Sequence, residues 1–213
     1  MSEFGGLYDA ILNGDQKVSV ALTRQALEEG VEPLDLIHRY MIPAMDEAGK
    51  RFECEDFFVP ELLLAARAMK GALELLRPRL AASGAQPAGR VVIGTVKGDL
   101  HDIGKNLVSS MLEGGGFEVT DLGADVSPEK FVEAVRKTGA QIVCLSALLT
   151  VTMPSMKTTI EAFRQAGIRD QVKVLIGGAP VTEQYAREIG ADGYGGNANV
   201  AVALARQIVA AAS

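Results

Sequence analysis

The chain has 213 residues, enough for one domain or two small ones with a real core, and 48% of it is apolar, ordinary for a soluble protein. A formal charge of −6 and the lack of tryptophan argue against a nucleic-acid partner, which needs a basic face or an aromatic stacking platform. No apolar run approaches the ~18 residues needed to cross a bilayer, and Met1-Ser2-Glu3-Phe4 lacks the basic-then-apolar pattern of a secretory signal. Cys54 and Cys144 are too far apart to pair as metal ligands by spacing; they are expected as reduced, buried thiols of a cytoplasmic protein.

The first part of the chain reads as helix. Leu7, Ile11 and Leu12 fit a short first segment. Asp15 caps a second, with Val18, Ala21, Leu22 and Leu27 as its apolar positions and Gly30 as its stop. Pro33 opens a third, with Leu34, Ile37, Met41 and Met45 facing inward and Pro43 kinking it. Asp56 is expected to cap a long fourth segment through Leu75 and Leu76. Four helices with short connections predict a small bundle, its core holding Phe52, Phe57, Phe58 and Met69. His38 reads as structural. The small, uncharged stretch 81–89 has the composition of a linker, placing a boundary between a helical domain, 1–84, and a second domain, 85–213.

Beyond the linker the pattern becomes strand, helix, strand, helix. Strands are expected at Val91–Thr95, Glu118–Asp121, Ile142–Ser146, Lys173–Ile176 and Gly193–Tyr194. Helices are expected at 103–114, 128–138, 154–166, 182–189 and 199–211, with Pro128 and Pro154 at helix starts. This alternation predicts an α/β fold, a Rossmann-like (flavodoxin-like) five-stranded parallel sheet covered on both faces. The common strand order 2-1-3-4-5 puts the topological switch between the first and third strands. The loops leaving them are 96–102 and 147–153.

The first of these loops carries the most unusual chemistry. In Gly94-Thr95-Val96-Lys97-Gly98-Asp99-Leu100-His101-Asp102-Ile103-Gly104-Lys105, one of only two histidines lies two residues after a carboxylate. An imidazole that binds a metal through one nitrogen needs its other N–H held by an acceptor, and Asp99 can supply that. The loop after the third strand offers hydroxyls at Ser146, Thr150 and Thr152; those after the fourth and fifth, Gly177-Gly178 and Gly193-Tyr194, are built of small residues. Such loops suit a deep, narrow slot. Lys97 and Lys105 read as solvated charges. No GxGxxG, no GxxxxGK[ST] and no nucleophile elbow is present. One histidine does not make a zinc site, but it suffices for a metal that brings most of its own ligands, as in a corrin or a haem.

Asp99-x-His101-x-x-Gly104, then Ser146-x-Leu148, then Gly177-Gly178, in that order, resembles the cobalamin-binding signature of the corrinoid proteins and of methionine synthase. Phe52-Glu53 through Phe58-Val59-Pro60-Glu61-Leu62 to Ala68-Met69-Lys70 resembles the helical cap of the same family. The resemblance implies a cobalamin or related corrinoid bound with its own base detached from cobalt, His101 as lower axial ligand and metal-binding residue, Asp99 on the other imidazole nitrogen, and Thr152 continuing the relay. It also implies that Asp102, Ile103, Ser146, Leu148, Thr150, Gly177, Gly178, Gly193 and Tyr194 contact the cofactor with the Asp99–Gly104 motif. His101 and Asp99 would share a proton as the cobalt bond weakens, and the helical part would shield the methyl group.

The implied function is a methyl-carrying subunit, not a complete enzyme alone. It would pass a methyl group from a substrate-specific methyltransferase to an acceptor methyltransferase for tetrahydrofolate or a thiol, with a corrinoid reductive activase as a third partner. Two alternatives share the signature: the cobalamin subunit of an adenosylcobalamin-dependent mutase, which generally lacks the helical cap, and a cobalamin-responsive regulator, which usually carries a basic DNA-binding segment.

Overall fold

Residues 4–83 and 87–212 are described by the structure, a computed structural model. The chain divides into two compact units: Met1–Pro87 with Glu113–Gly116, and Ala88–Leu112 with Phe117–Ser213.

In the first unit, α1 (Gly5–Leu12) and α2 (Gln16–Glu28) are followed by α3 (Pro33–Leu36), a π-helical turn (Ile37–Met41), α4 (Ile42–Glu53) and α5 (Val59–Ser83). The Asp15 carboxylate accepts the Val18 N–H at 3.0 Å and caps α2 as expected. Pro43 produces no break. It has no N–H to give, and the wider turn just before it absorbs the mismatch within one continuous helical run. Asp56 is not the cap of α5. The Glu61 side chain reaches back to the Phe58 N–H at 2.9 Å, the return half of a capping box.

The inward face of α2 also differs from the periodicity reading. Ser19, Thr23, Ala26 and Leu27 are buried, while Val18 is exposed. The reason is close helix approach. Ser19 donates to the Ala68 carbonyl at 3.1 Å, and a Cβ on Gly71 would lie 2.8 Å from Gln16 Nε2. The packed core is Leu7, Ile11, Leu36, Met41, Met45, Leu62, Met69 and Leu76. Phe58 is 65% exposed, Leu34 is exposed, and Cys54 is exposed, contrary to their expected burial. His38 lies exposed on the π turn. Helix α5 runs on through residues 81–83 of the expected linker, whose alanines favour helix; the expected boundary at 84/85 falls outside the described residues.

In the second unit, β1 (Arg90–Thr95), β2 (Glu118–Asp121), β3 (Ile142–Ser146), β4 (Lys173–Gly177) and β5 (Gly193–Tyr194) form one parallel sheet in the order β2-β1-β3-β4-β5. Between and after them run α6 (Ile103–Gly114), α7 (Pro128–Thr138), α8 (Pro154–Gln165), α9 (Glu183–Ile189) and α10 (Ala198–Ala212), with a 3-10 turn at Arg169–Gln171. The central strands are buried on both faces, as their unbroken apolar runs require. Alternate residues Val92, Val143, Leu145, Val174 and Ile176 join Phe131, Met156, Ile160 and Phe163 in one core layer. Gly94 makes room in it: a Cβ there would lie 2.8 Å from Phe131 Cζ. No described helix is long and apolar enough to cross a membrane.

Candidate corrinoid site

The switch point between β1 and β3 brings the loops after them together. Val96 N–H donates to the Ser146 carbonyl at 3.0 Å, extending the pairing past the strand ends. Gly98 has φ +84°, and the turn it makes sends Asp99 down into the gap. There the carboxylate has no solvent exposure.

Five donors converge on it. Oδ1 receives the His101 backbone N–H at 3.0 Å and lies 2.8 Å from His101 Nδ1. Oδ2 receives the Leu148 N–H at 2.8 Å, the Leu149 N–H at 3.3 Å and the Thr152 hydroxyl at 2.6 Å. Burial alone would raise the Asp99 pKa. The hydrogen bonds from Thr152, the His101 and Leu148 amides and the His101 ring outweigh it and hold the carboxyl well below the usual carboxylate range. An ionised carboxylate only accepts, so the proton of this pair sits on Nδ1 and the ring's lone pair is left on Nε2. The imidazole is half exposed. Thr95 Oγ1 donates to the His101 carbonyl at 3.0 Å and steadies the loop from below.

Beside this triad lies a pocket of about 250 Å3, walled by Gly104, Lys105 and Val108 on one side and by Ser146, Gly177, Gly178, Tyr194 and Gly195 on the other. The glycines there are steric necessities. A Cβ on Gly178, at φ +134°, would lie 1.9 Å from the Ala147 carbonyl oxygen, and one on Gly177 would lie 2.9 Å from the Gly195 oxygen. Gly104 differs: a Cβ there would meet nothing of the chain within 4 Å, so the space it leaves faces the pocket.

Of the residues singled out from sequence, Asp99, His101 and Thr152 are bonded together, and Gly104, Ser146, Gly177, Gly178 and Tyr194 line the pocket. Leu148 joins the triad through its amide, its side chain being exposed. Asp102 and Ile103 stand at the start of α6, where the Asp102 carbonyl accepts the Asn106 N–H; Ile103 is 78% exposed. Thr150 is exposed and is not part of the pocket wall, and Gly193 is packed under Leu175 rather than open to it. Cys144 is buried at the pocket, where burial pushes its thiol up to about 12.

Lys105 is a correction. It is buried, not solvated, with Nζ bonded to the Asp121 carboxylate and, at 2.6 Å, to Asn106 Oδ1. A buried ammonium needs such partners, and Asp121 supplies one from the end of β2. Sequence reasoning also missed the Leu149 amide and Asp125; an Asp four residues beyond a strand end was the one available hint of the latter.

These residues fit a corrinoid. Among the described residues no group of three or more His, Cys, Asp or Glu comes together to hold a metal ion; His101 offers one ring nitrogen, held in one tautomer by a buried anion. Around it the two loops present Leu100, Ile103, Leu148, Leu149 and Val151, all exposed, an apolar skirt suited to the face of a large flat ring. The adjoining glycine-walled pocket suits a narrow appendage of that ring. The architecture and the site together define a cobalamin-binding α/β protein with an N-terminal helical unit.

Comparison with known proteins agrees over both units. B12 binding domain families match residues 89–203 and residues 4–77. The chain is 42% identical to trimethylamine corrinoid protein 1 of Methanosarcina acetivorans, covering 94% of each chain, and 41% identical to the dimethylamine corrinoid protein of Methanosarcina barkeri, covering 96% of each. Among solved structures it superposes with a TM-score of 0.80 on a cobalamin-binding protein from Desulfitobacterium hafniense, at 31% identity over 98% of this chain and 99% of that one. It also superposes with a TM-score of 0.83 on a chain of the methanol:cobalamin methyltransferase complex from Methanosarcina barkeri, at 31% identity over 96% of this chain and 78% of that one. The chain belongs to the B12-binding family, and its cofactor is a corrinoid.

Proposed function

We propose that this chain is the methyl-carrying corrinoid subunit of a methyltransferase system, with a methylated amine as the ultimate methyl donor. The observation that carries this reading is the Asp99–His101 pair: a half-exposed imidazole whose Nδ1 is tied to a buried carboxylate beside a glycine-walled pocket. Likeness along nearly the whole chain to trimethylamine and dimethylamine corrinoid proteins supports the donor class. The helical unit, itself matched over residues 4–77, favours a carrier over a mutase subunit, which generally lacks one.

When bound, the corrin's cobalt supplies the centre that holds the methyl group. The chain's own residues do the rest. His101 would hold the cobalt through Nε2, and the glycine-walled pocket between α6 and the ends of β3 and β4 would take the corrinoid's tail. Asp99 fixes the ring's tautomer and orientation. Thr152, Leu148 and Leu149 keep Asp99 charged and still. Domains 1–84 and 85–213 would divide the work, the first shielding the methyl group and yielding to a partner. The partners are a substrate-specific methyltransferase, an acceptor methyltransferase for a thiol or tetrahydrofolate, and a reductive activase that restores oxidised cobalt.

The test is reconstitution with hydroxocobalamin. The wild type is expected to give a base-off spectrum with histidine bound, and His101→Ala to give base-off without an axial nitrogen. An unchanged spectrum in H101A removes His101 from that role. Methyl transfer from trimethylamine or dimethylamine, in the presence of a cognate methyltransferase, tests the donor class.

A further inference from the structure

The loop after β2, Leu122–Val126, is laced onto the His101 loop from the side opposite Thr152. Thr95 N–H donates to the Gly123 carbonyl at 2.9 Å, Val126 N–H to the Thr95 carbonyl at 3.0 Å, and Val96 and Val126 form an isolated parallel bridge. At the centre of this lacing stands Asp125. Its Oδ1 accepts the Gly98 N–H at 2.7 Å, and its own N–H donates to the Asp99 carbonyl at 2.9 Å. Among the described residues, only Glu55 and Asp125 combine a side chain with a positive φ, +52° for Asp125. A side-chain-bearing residue in that region is held there by its surroundings. Here the left-handed turn aims the carboxylate at one flank of Asp99 and the amide at the other.

We propose that Asp125 is a positioning residue for the axial histidine. Asp99 is fixed at two levels: the β3 loop holds its carboxylate, and Asp125 holds its backbone and that of Gly98. Without the second hold, the peptide from Gly98 to His101 can pivot about the carboxylate, and Nε2 loses its set height above the sheet. This inference rests on the reading of His101 as axial ligand, and the experiment separates the two.

The full chain is loaded with hydroxocobalamin, reduced by one electron to the Co(II) state, and its electron paramagnetic resonance read for splitting by an axial nitrogen. Asp125→Gly keeps the backbone conformation at no steric cost but removes the acceptor. Asp125→Asn keeps an acceptor oxygen and tolerates the left-handed region. D125N is expected to retain the wild-type splitting. D125G is expected to lose at least half of the nitrogen-split signal with cobalamin still bound. Should D125G not fold, by circular dichroism, Asp125→Ser is read in its place, its shorter side chain loosening the same contact. Full splitting in the folded glycine or serine variant, with the splitting lost in H101A, overturns the role of Asp125 alone. No splitting in the wild type, or splitting that survives in H101A, overturns the axial reading and this inference with it.

Discussion

Thr152 Oγ1 donates a hydrogen bond to Asp99 Oδ2 at 2.6 Å across 53 positions of sequence, joining the loops that leave two neighbouring strands through one buried contact. The same hydroxyl lies 2.8 Å from the Leu149 carbonyl, a second acceptor within reach of its one proton. Replacing it tests how much the pair depends on that support. Thr152→Ala is expected to cost on the order of 1–3 kcal/mol, since a buried charged acceptor loses a donor, and to lower Tm by several degrees. Thr152→Ser, which keeps the donor, is expected to recover most of it. Thermal unfolding of both apo-proteins checks this; equal losses in the two would mean that packing of the methyl group, not the hydroxyl, is what matters.

Asp99 carries a pH signature. Its folded pKa lies below its unfolded value, so the stability it contributes is fully present above the ordinary carboxylate pKa of about 4 and is lost as pH falls through the folded value. Asp99→Asn has one acceptor oxygen for five donors and sets an NH2 against some of them. The variant is expected to be less stable than the wild type at pH 7, with the gap narrowing as pH falls below about 4. Denaturant titrations between pH 3 and pH 7 measure it. A gap that stays constant over that range contradicts the assignment of these bonds to the ionised acid.

Two glycines on the same pocket should behave in opposite ways. Gly178→Ala puts a methyl group 1.9 Å from the Ala147 oxygen at a positive φ, and is expected to destabilise the apo-protein strongly or prevent its folding. Gly104→Ala meets nothing of the chain and lies in the first turn of α6; it is expected to leave the apo-protein as stable or up to about 1 kcal/mol more so, while weakening corrinoid retention. Unfolding curves paired with cobalamin-binding titrations distinguish the two.

The two thiols should also part company. Cys54 is exposed, whereas Cys144 is buried with its thiol pushed up to about 12. A thiol reagent at pH 8 is expected to modify one cysteine rapidly and the second only as the sheet unfolds. Labelling kinetics with and without denaturant, read by mass spectrometry, report this directly.

Much of the α/β unit was legible because its signals are local and strong. The apolar runs Val91–Thr95 and Ile142–Ser146, and the prolines 128 and 154 at helix starts, correspond to observed elements, and the common strand order is the one found. The first unit was less legible. Ser19 and Thr23 turn inward because small residues on α5 let the helices approach and a carbonyl takes the hydroxyl; periodicity of apolar residues points to the other face. Phe58 and Cys54 look like core residues by type, but the turn before α5 leaves them outside. Within the site, the histidine and its acid stood out by composition, whereas the amides of Leu148 and Leu149 did not, since every residue has one. The burial of Lys105, which reads from sequence as a solvated charge, and the contacts of Asp125 were not legible because both depend on the end of β2, a strand adjacent in space but not in sequence.

The donors to Asp99 from the β3 loop sit 49 to 53 positions downstream of it. A nascent chain emerging from the ribosome therefore carries its histidine long before it can anchor the acid behind it. Prematurely terminated products ending ahead of Leu148 would carry the imidazole and its acid without the three β3-loop donors that fix the far oxygen of that acid.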